Sequence, residues 1–139
     1  MMGPNFGDYL TPWLINKFTS QNPSYIVAKA ADEHYIITGS ILGGAGPNSI
    51  VWGAGFANYT DRLAAAKVLK AVRGPLSRDI IRRQGIACPE VTGDPALLLP
   101  RFYKPNLPKR YKLGVIPHWI DYYIGTRRFR DEPGVRMID

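Results

Sequence analysis

Three ionisable side chains closely follow short apolar segments, and they are the residues of this chain best suited to chemistry. Arg73 follows KVLKAV, Asp94 follows PEVT and a glycine, and His118 follows LGVI and a proline. An arginine can bind a phosphate or carboxylate through two parallel hydrogen bonds, whereas a carboxylate or an imidazole can transfer a proton. Ligands of parallel sheets bind at the carboxyl ends of the strands. The three residues therefore predict anion binding and proton transfer, although Asp94 can alternatively cap the turn that follows it and His118 can be structural.

Glycine turns end two other apolar segments and predict further binding positions. Gly39 and Ser40 follow YIIT, and Gly53 follows IVW. A glycine turn at a strand end exposes backbone N–H groups that can bind phosphate or sugar hydroxyls. The sequence leaves open the alternative that these glycines only allow the geometry of a turn. Neither turn has the spacing of a dinucleotide-binding fingerprint or of a P-loop.

The N-terminal turn Asn5-Phe6-Gly7-Asp8 precedes a helical pattern that runs from Leu10 to Phe18. Asp8 or Thr11 is predicted to cap that helix, with Pro12 in its first turn. The carboxylate of Asp8 can instead line a binding site, and the residues alone favour the cap.

A strand–helix–strand unit surrounds Arg73. KVLKAV predicts a buried strand, Gly74-Pro75 opens a helix that Gly85 closes, and PEVT predicts a second strand. The guanidinium and the N-terminal amides of the helix can hold one anion together. Arg78, one turn later, is predicted to be either a second contact or a surface charge.

The succession of short apolar segments, glycine turns and amphipathic helices predicts an α/β fold with a Rossmann-like, mostly parallel sheet. Residues 1–103 are the predicted N-terminal domain, whose first strand is missing or short because only four residues precede Asn5. The basic, proline-containing segment 104–112 is a predicted linker. Residues 113–139 are predicted to be the incomplete start of a second α/β domain. These missing pieces predict uncovered apolar surface and therefore self-association.

The composition excludes several classes of protein and of site. Cys88 is the only cysteine, which excludes an internal disulfide and a cysteine-based zinc site. No apolar run approaches the roughly 20 residues of a membrane span, and no secretory signal is visible, which predicts a cytoplasmic protein, free or at the inner face of the membrane. His, Cys, Asp and Glu show no metal-ligand spacing, so no metal is expected. His34 is predicted to be structural.

The positive charge lies mainly in the C-terminal half of the chain. Residues 1–70 carry five Lys or Arg against four Asp or Glu, and residues 71–139 carry thirteen against seven, which gives the net charge of +7. A basic half predicts anionic partners such as phosphate-bearing metabolites, nucleic acid or acidic polysaccharide. Most of these side chains are nevertheless expected to form a solvated surface.

Several segments of the chain resemble, in the same order, the polysaccharide pyruvyl transferase family, especially its bacterial exopolysaccharide ketal-pyruvate branch. They are NFGDYLTPWLINKF, YIITGSIL, VWGAGF, VRGPLSRDIIRRQGI with VTGDPALLLP, and KLGVIPHWID. The resemblance runs from Asn5 to about Asp121 and implies a GT-B-like enzyme with its active site between two domains. It implies transfer of a pyruvyl group from phosphoenolpyruvate, without a further cofactor, to a lipid-linked or polymeric saccharide acceptor. Because later family motifs have no counterpart here, the chain alone is expected to be inactive.

The resemblance also implies roles for the residues named above. Arg73 is expected to bind the donor phosphate or carboxylate, Asp8 or Asp94 the acceptor hydroxyl, and His118 the transferring proton or the phosphate. The expected substrate-binding positions are Asn5, Gly7, Gly39, Ser40, Gly53, Arg73 and Arg78. Two alternatives stay open: a GT-B-type glycosyltransferase that uses a nucleotide sugar, and a basic module that binds nucleic acid. Nucleic acid is not the expected partner, because it would explain the charge but not the strand-end glycines.

Overall fold

Short parallel strands alternate with helices along this chain. The computed structural model describes residues 6–26 and 31–138, and the chain divides into two units, Met1–Lys104 and Pro105–Asp139. Every strand pair of the described residues is parallel. The predicted α/β class is therefore confirmed, whereas the GT-B-like arrangement stays a prediction.

A three-stranded parallel sheet forms the centre of the first unit. Its order is β1 (His34–Ile36), β2 (Ser49–Trp52) and β3 (Val68–Ala71). The residues of β2 alternate between buried and half-buried, since successive side chains of a strand point to opposite faces. The pairing of β2 with β3 becomes irregular between Val51 and Trp52, where β2 ends and the glycine turn begins. The sheet therefore brings three strand ends to one edge.

The helix that follows β3 has the predicted start and end. α2 spans Pro75–Arg83, with Pro75 in its first turn, and Gly85 beyond its end has a positive φ of 74°. Proline suits the first turn because the N–H that it lacks would have no intrahelical partner, and glycine adopts the left-handed conformation without steric cost. Ile80 and Ile81 are buried against the sheet core, so one apolar face fixes the helix in place.

The first helix begins earlier than predicted. α1 spans Phe6–Thr19, so Asp8 and Thr11 lie inside the helix and the prediction that either caps it is wrong. Pro12 also lies inside α1 rather than in its first turn. The burial of Leu10 and Leu14 explains the difference, because packing of an apolar face can outweigh the hydrogen bond that an internal proline removes.

The strand predicted at Pro89–Thr92 is reduced to one parallel bridge between Thr92 and Val72. Two features explain why no longer strand forms. Pro89 has no N–H to donate to a neighbouring strand, and Val91 is 63% exposed, so little apolar surface would be buried. The chain instead continues into a 3₁₀ turn at Pro95–Leu98 and the short helix α3, Leu99–Phe102.

The second unit is a single strand–helix–strand motif. β4 (Leu113–Val115) pairs in parallel with β5 (Val135–Met137), and α4 (Tyr122–Phe129) connects them. None of the described side chains of this unit is buried, and Ile116, Ile120 and Ile124 are 65–76% exposed. Self-association through such apolar surface stays a prediction, which sedimentation velocity over a range of protein concentrations tests.

Candidate anion-binding site

The loops after β1, β2 and β3 are joined by backbone hydrogen bonds into one edge. The N–H of Gly55 donates to the carbonyl of Gly39 at 3.0 Å, and the N–H of Arg73 donates to that of Ala54 at 3.0 Å. These bonds connect the end of β1 to the end of β2, and the end of β2 to the end of β3. The carboxyl ends of parallel strands are the usual ligand-binding edge of such sheets, and here that edge contains Gly39, Ser40, Gly53 and Arg73.

The guanidinium of Arg73 is held by two neutral oxygens. Its Nη1 donates to Ser40 Oγ at 2.7 Å, and its Nη2 donates to the carbonyl of Phe56 at 2.8 Å. These bonds use two of the five N–H groups that a guanidinium carries. Among the described side chains, which do not include that of Asp8, no carboxylate forms an ion pair with Arg73. The described carboxylates therefore leave the charge of half-buried Arg73 uncompensated.

The side chain of Arg73 lies directly against the backbone of Gly55. A Cβ atom at this glycine would be 2.6 Å from Arg73 Nε and 2.9 Å from Ser77 Oγ. Both distances are shorter than real Cβ contacts, so any side chain here would displace the arginine or the serine. Ser77 is buried on α2, and its Oγ accepts the N–H of Phe56 at 3.1 Å.

The loop beyond Phe56 is fixed by a carboxylate. Asp61 Oδ2 accepts the N–H groups of Ala57 and Asn58, both at 2.9 Å. The hydrogen bond from the N–H of Asn58 is the main cause that lowers the pKa of Asp61 below its ordinary value. Burial opposes this shift, and the hydrogen bond from Ala57 adds a smaller contribution to it. This carboxylate therefore serves as an acceptor that holds the loop in which Phe56 lies.

The two predicted glycines differ in what surrounds them. Gly39 has a positive φ of 89°, and a Cβ there would meet no described atom within 4 Å. Gly53 also has a positive φ, but its Cβ would be 2.3 Å from the ring of Pro95. The tight packing of Gly53 accounts for glycine at that position, whereas Gly39 faces open space beside Ser40.

Asp94 caps the turn that it begins. Its Oδ1 accepts the N–H of Ala96 at 2.9 Å, which confirms the capping alternative. Asp94 and Gly53 also line one shallow hollow of about 260 Å³, with Trp52 and Gly93 among the other lining residues. A role for Asp94 as a base toward a sugar hydroxyl stays a prediction.

The start of α1 contacts the end of β1. Thr38 Oγ1 hydrogen-bonds to Thr11 Oγ1 and donates to the carbonyl of Gly7 at 3.5 Å. Gly7 is therefore close to the loop that contains Gly39 and Ser40. Asn5 and the side chain of Asp8 lie outside the described part of the structure, and their predicted roles stay predictions.

Arg78 belongs to an ion-pair cluster with Arg82 and Glu90. Its Nη1 lies 3.0 Å from Glu90 Oε2, and Arg82 Nη2 donates to the other oxygen of that carboxylate. The hydrogen bond from Arg82, followed by the charge of Arg82, lowers the pKa of Glu90. The side chain of Arg78 is therefore engaged by a carboxylate, and its predicted alternatives of a second substrate contact or a surface charge stay predictions.

The two histidines have different environments. His34 is buried, with Nδ1 2.9 Å from the carbonyl of Asp32 and Nε2 2.8 Å from Ser49 Oγ, which confirms its structural interpretation. His118, in the second unit, is exposed, and its Nδ1 accepts the N–H of Ile120 at 3.4 Å.

Sequence reasoning missed Gly55, Ser77 and the Phe56 carbonyl as parts of the arginine site. Their contacts join residues that are 17 to 21 positions apart in the chain. A signal for Gly55 was present in the GAGF segment, where a second glycine follows the one that ends the strand. No sequence pattern identifies a backbone carbonyl as the partner of a particular arginine.

Two kinds of feature are absent from the described residues. These residues contain no group of three or more His, Cys, Asp or Glu side chains arranged to hold a metal ion. None of the helices in the same residues combines the length and the apolar character that crossing a membrane requires. The cytoplasmic location stays a prediction.

Comparison with known proteins gives one match. A search of the curated proteins and a search of the solved structures returned no significant match. The family model described as polysaccharide pyruvyl transferase matches residues 5–135, which include most of both units and the whole strand-end edge. With nearly its full length matched in this way, the chain belongs to the polysaccharide pyruvyl transferase family.

Proposed function

We propose that the strand-end edge binds phosphoenolpyruvate for pyruvyl transfer to a sugar of an exopolysaccharide or cell-surface polysaccharide precursor. The product is a cyclic ketal on two sugar hydroxyls, and phosphate is released. Family membership supports pyruvyl transfer and a saccharide acceptor. The observation that carries the choice of an anionic donor is the Arg73 guanidinium, which is oriented by two neutral oxygens at a strand-end edge.

The reaction defines what such a site must supply. A proton added to the methylene carbon of the donor leaves an oxocarbenium-like centre at C2, to which one sugar hydroxyl adds as it loses its proton. The C2–O bond to phosphate then breaks, the electron pair leaves with phosphate, and the second hydroxyl adds with loss of its proton. One hydroxyl proton balances the proton given to carbon, and the other leaves with phosphate. The site therefore needs anion-binding groups, a general acid and a general base.

Arg73 is the proposed anchor of the donor phosphate or carboxylate. Among the described residues, Ser40 and Phe56 engage only two of the five N–H groups of its guanidinium. The N–H groups of Leu76 and Ser77, in the first turn of α2, have no intrahelical carbonyl to bond. The positive end of the helix dipole adds to their attraction for an anion. Ser40 Oγ and the open space at Gly39 supply room and a further polar group on the β1 side.

The acid–base groups of the proposal are Asp8, Asp94 and His118. Asp8 or Asp94 accepts a sugar proton, and His118 transfers a proton or contacts phosphate. The capping bond occupies Oδ1 of Asp94, and a carboxylate has a second oxygen that can accept. The imidazole of His118 is exposed, and an imidazole is a group that can both donate and accept a proton. A GT-B-like arrangement is part of this proposal and depends on the resemblance alone.

Titration calorimetry with three ligands tests the proposal. The protein is titrated separately with phosphoenolpyruvate, a nucleoside diphosphate and a short single-stranded oligonucleotide. We expect phosphoenolpyruvate to bind, inorganic phosphate to compete with it, and Arg73→Ala to remove most of the binding. Tighter binding of the nucleoside diphosphate would favour a nucleotide-sugar glycosyltransferase instead. Preferential, strongly salt-dependent binding of the oligonucleotide would favour a nucleic-acid module.

A further inference from the structure

We propose that Gly55 and Ser77 are positioning residues of the anion site. They fix the Gly55-Phe56 segment, in which the backbone carbonyl of Phe56 sets the direction of the Arg73 guanidinium. The inference rests on the proposed function, because it assumes that Arg73 binds the anionic donor. It adds to that function the hydroxyl of Ser77 and the absence of a side chain at Gly55, neither of which contacts donor or acceptor in the proposal.

Phe56 is held at both of its backbone polar groups. Its N–H donates to Ser77 Oγ at 3.1 Å, and its carbonyl accepts from Arg73 Nη2 at 2.8 Å. Ser77 is buried, with 6% of its surface exposed, and lies on α2, whose apolar face is packed in the core. The serine therefore fixes, from a rigid helix, the residue whose carbonyl orients the arginine.

Gly55 provides a fixed backbone surface against which the Arg73 side chain lies. Its own N–H and carbonyl are bonded to the loop after β1, through Gly39 and Leu42, each at 3.0 Å. A Cβ here would lie 2.6 Å from Arg73 Nε and 2.9 Å from Arg73 Cζ. The absence of a side chain thus allows the guanidinium to lie against the backbone of Gly55 while it bonds to Ser40 and Phe56.

The geometry of the two arginine contacts explains why Phe56 has the larger effect on orientation. Ser40 is exposed, and a hydroxyl on a rotatable side chain can follow a moving guanidinium. The Phe56 carbonyl cannot follow it, because Ser77 and the Asp61-bonded loop hold the backbone on either side. A two-bond contact from arginine to an anion requires a defined direction of its planar group. Loss of the Ser77 hydroxyl should therefore weaken donor binding through Arg73.

The test compares Ser77→Ala and Gly55→Ala with two matched controls. Ser49→Ala removes another buried serine hydroxyl, at the amino end of β2, and Gly43→Ala adds a Cβ whose nearest described atom is 3.9 Å away. The measurements are the dissociation constant for phosphoenolpyruvate and the melting temperature. We expect Ser77→Ala to weaken binding about 5- to 10-fold, the usual effect of one hydrogen bond, and Gly55→Ala to weaken it at least as much. Both controls should keep the affinity, although Ser49→Ala lowers the melting temperature.

A double-mutant cycle with Arg73→Ala separates positioning from general destabilisation. In the Arg73→Ala background, Ser77→Ala and Gly55→Ala should cause no further loss of affinity, because residues that act through one another are not additive. Equal losses in both backgrounds would overturn the inference, and so would unchanged affinity in both single variants. If Arg73→Ala itself leaves the affinity unchanged, the proposed donor site fails and the inference falls with it. If Ser77→Ala does not fold, Gly55→Ala decides the cycle alone.

Discussion

Two arginine environments lie on either side of the start of α2, and they differ in the charge of their partners. Arg73 donates to a hydroxyl and to a backbone carbonyl, whereas Arg78 and Arg82 share the carboxylate of Glu90. A neutral oxygen orients a guanidinium without neutralising it, whereas a carboxylate compensates its charge. The proposal of an anion site at Arg73 therefore depends on the neutral charge of its partners and not on the abundance of arginine.

The largest expected effect distinguishes the two environments directly. Arg73→Lys should weaken phosphoenolpyruvate binding by about 1.5–3 kcal/mol, or roughly 10- to 150-fold, because lysine cannot reproduce the planar two-bond contact. Arg82→Lys is the matched control and should change the affinity by less than about twofold, since surface ion pairs contribute little. The dissociation constants come from titration calorimetry. Unchanged donor affinity in Arg73→Lys, with affinity abolished by Arg78→Ala, would show that the anchor has been assigned to the wrong arginine.

A second variant gives Arg73 a carboxylate partner, as Arg82 has in Glu90. Ser40→Asp places a carboxylate beside Arg73 Nη1, where it should compete with the donor anion and weaken phosphoenolpyruvate binding about 5- to 20-fold. Ser40→Asn adds a neutral side chain similar in shape to that of aspartate, and it should lose much less affinity for phosphoenolpyruvate than Ser40→Asp. Because Ser40 is exposed, the melting temperature should change little in either variant. Equal affinities of the Asp and Asn variants would mean that the charge of the partner is irrelevant here.

Asp94 is the carboxylate of the same strand-end edge, and its two roles predict different outcomes. Asp94→Ala should lower the free energy of unfolding by about 1 kcal/mol, because the cap on Ala96 is lost. Asp94→Asn keeps a capping oxygen and should keep the stability. Chemical denaturation measures both. Because the proposed role of Asp94 is toward the acceptor, donor affinity should stay the same in Asp94→Asn. A change in donor affinity would instead make Asp94 a partner of Arg73 and would contradict the contrast between the two arginine environments.

The sequence was sufficient for features that depend on local rules. The glycine-proline start of α2, its end at Gly85 and the cap at Asp94 each follow from the conformational preferences of one or two residues. The start of α1 was predicted too late, because burial of Leu10 and Leu14 is a tertiary effect. The strand at Pro89–Thr92 was predicted too long for the same kind of reason, since its pairing depends on apolar burial that Val91 lacks.

The candidate site shows the same division between local and tertiary information. Arg73 was predicted from its place between a strand and a helix, which is a local feature. The neutral partners that distinguish it from Arg78 lie on other loops, at Ser40 and Phe56, and pairings of that range depend on the register of the sheet. Two arginines that look alike in a sequence therefore differ only once the strands have paired.

The smallest effect comes from the compensated cluster and concerns pH. Arg82, through its hydrogen bond and then its charge, lowers the pKa of Glu90 below the ordinary value of 4.5. A lowered folded-state pKa means that the stabilisation is fully present above pH 4.5 and is lost as the pH falls through the folded-state pKa. The melting temperature of the wild type should therefore exceed that of Glu90→Gln slightly at pH 7, with the difference shrinking below pH 4.5. Phosphoenolpyruvate affinity at pH 7 should be the same in both proteins, because releasing Arg78 and Arg82 does not alter the partners of Arg73. Tighter donor binding in Glu90→Gln would mean that these arginines also attract the donor, and the contrast between the two environments would then be one of degree.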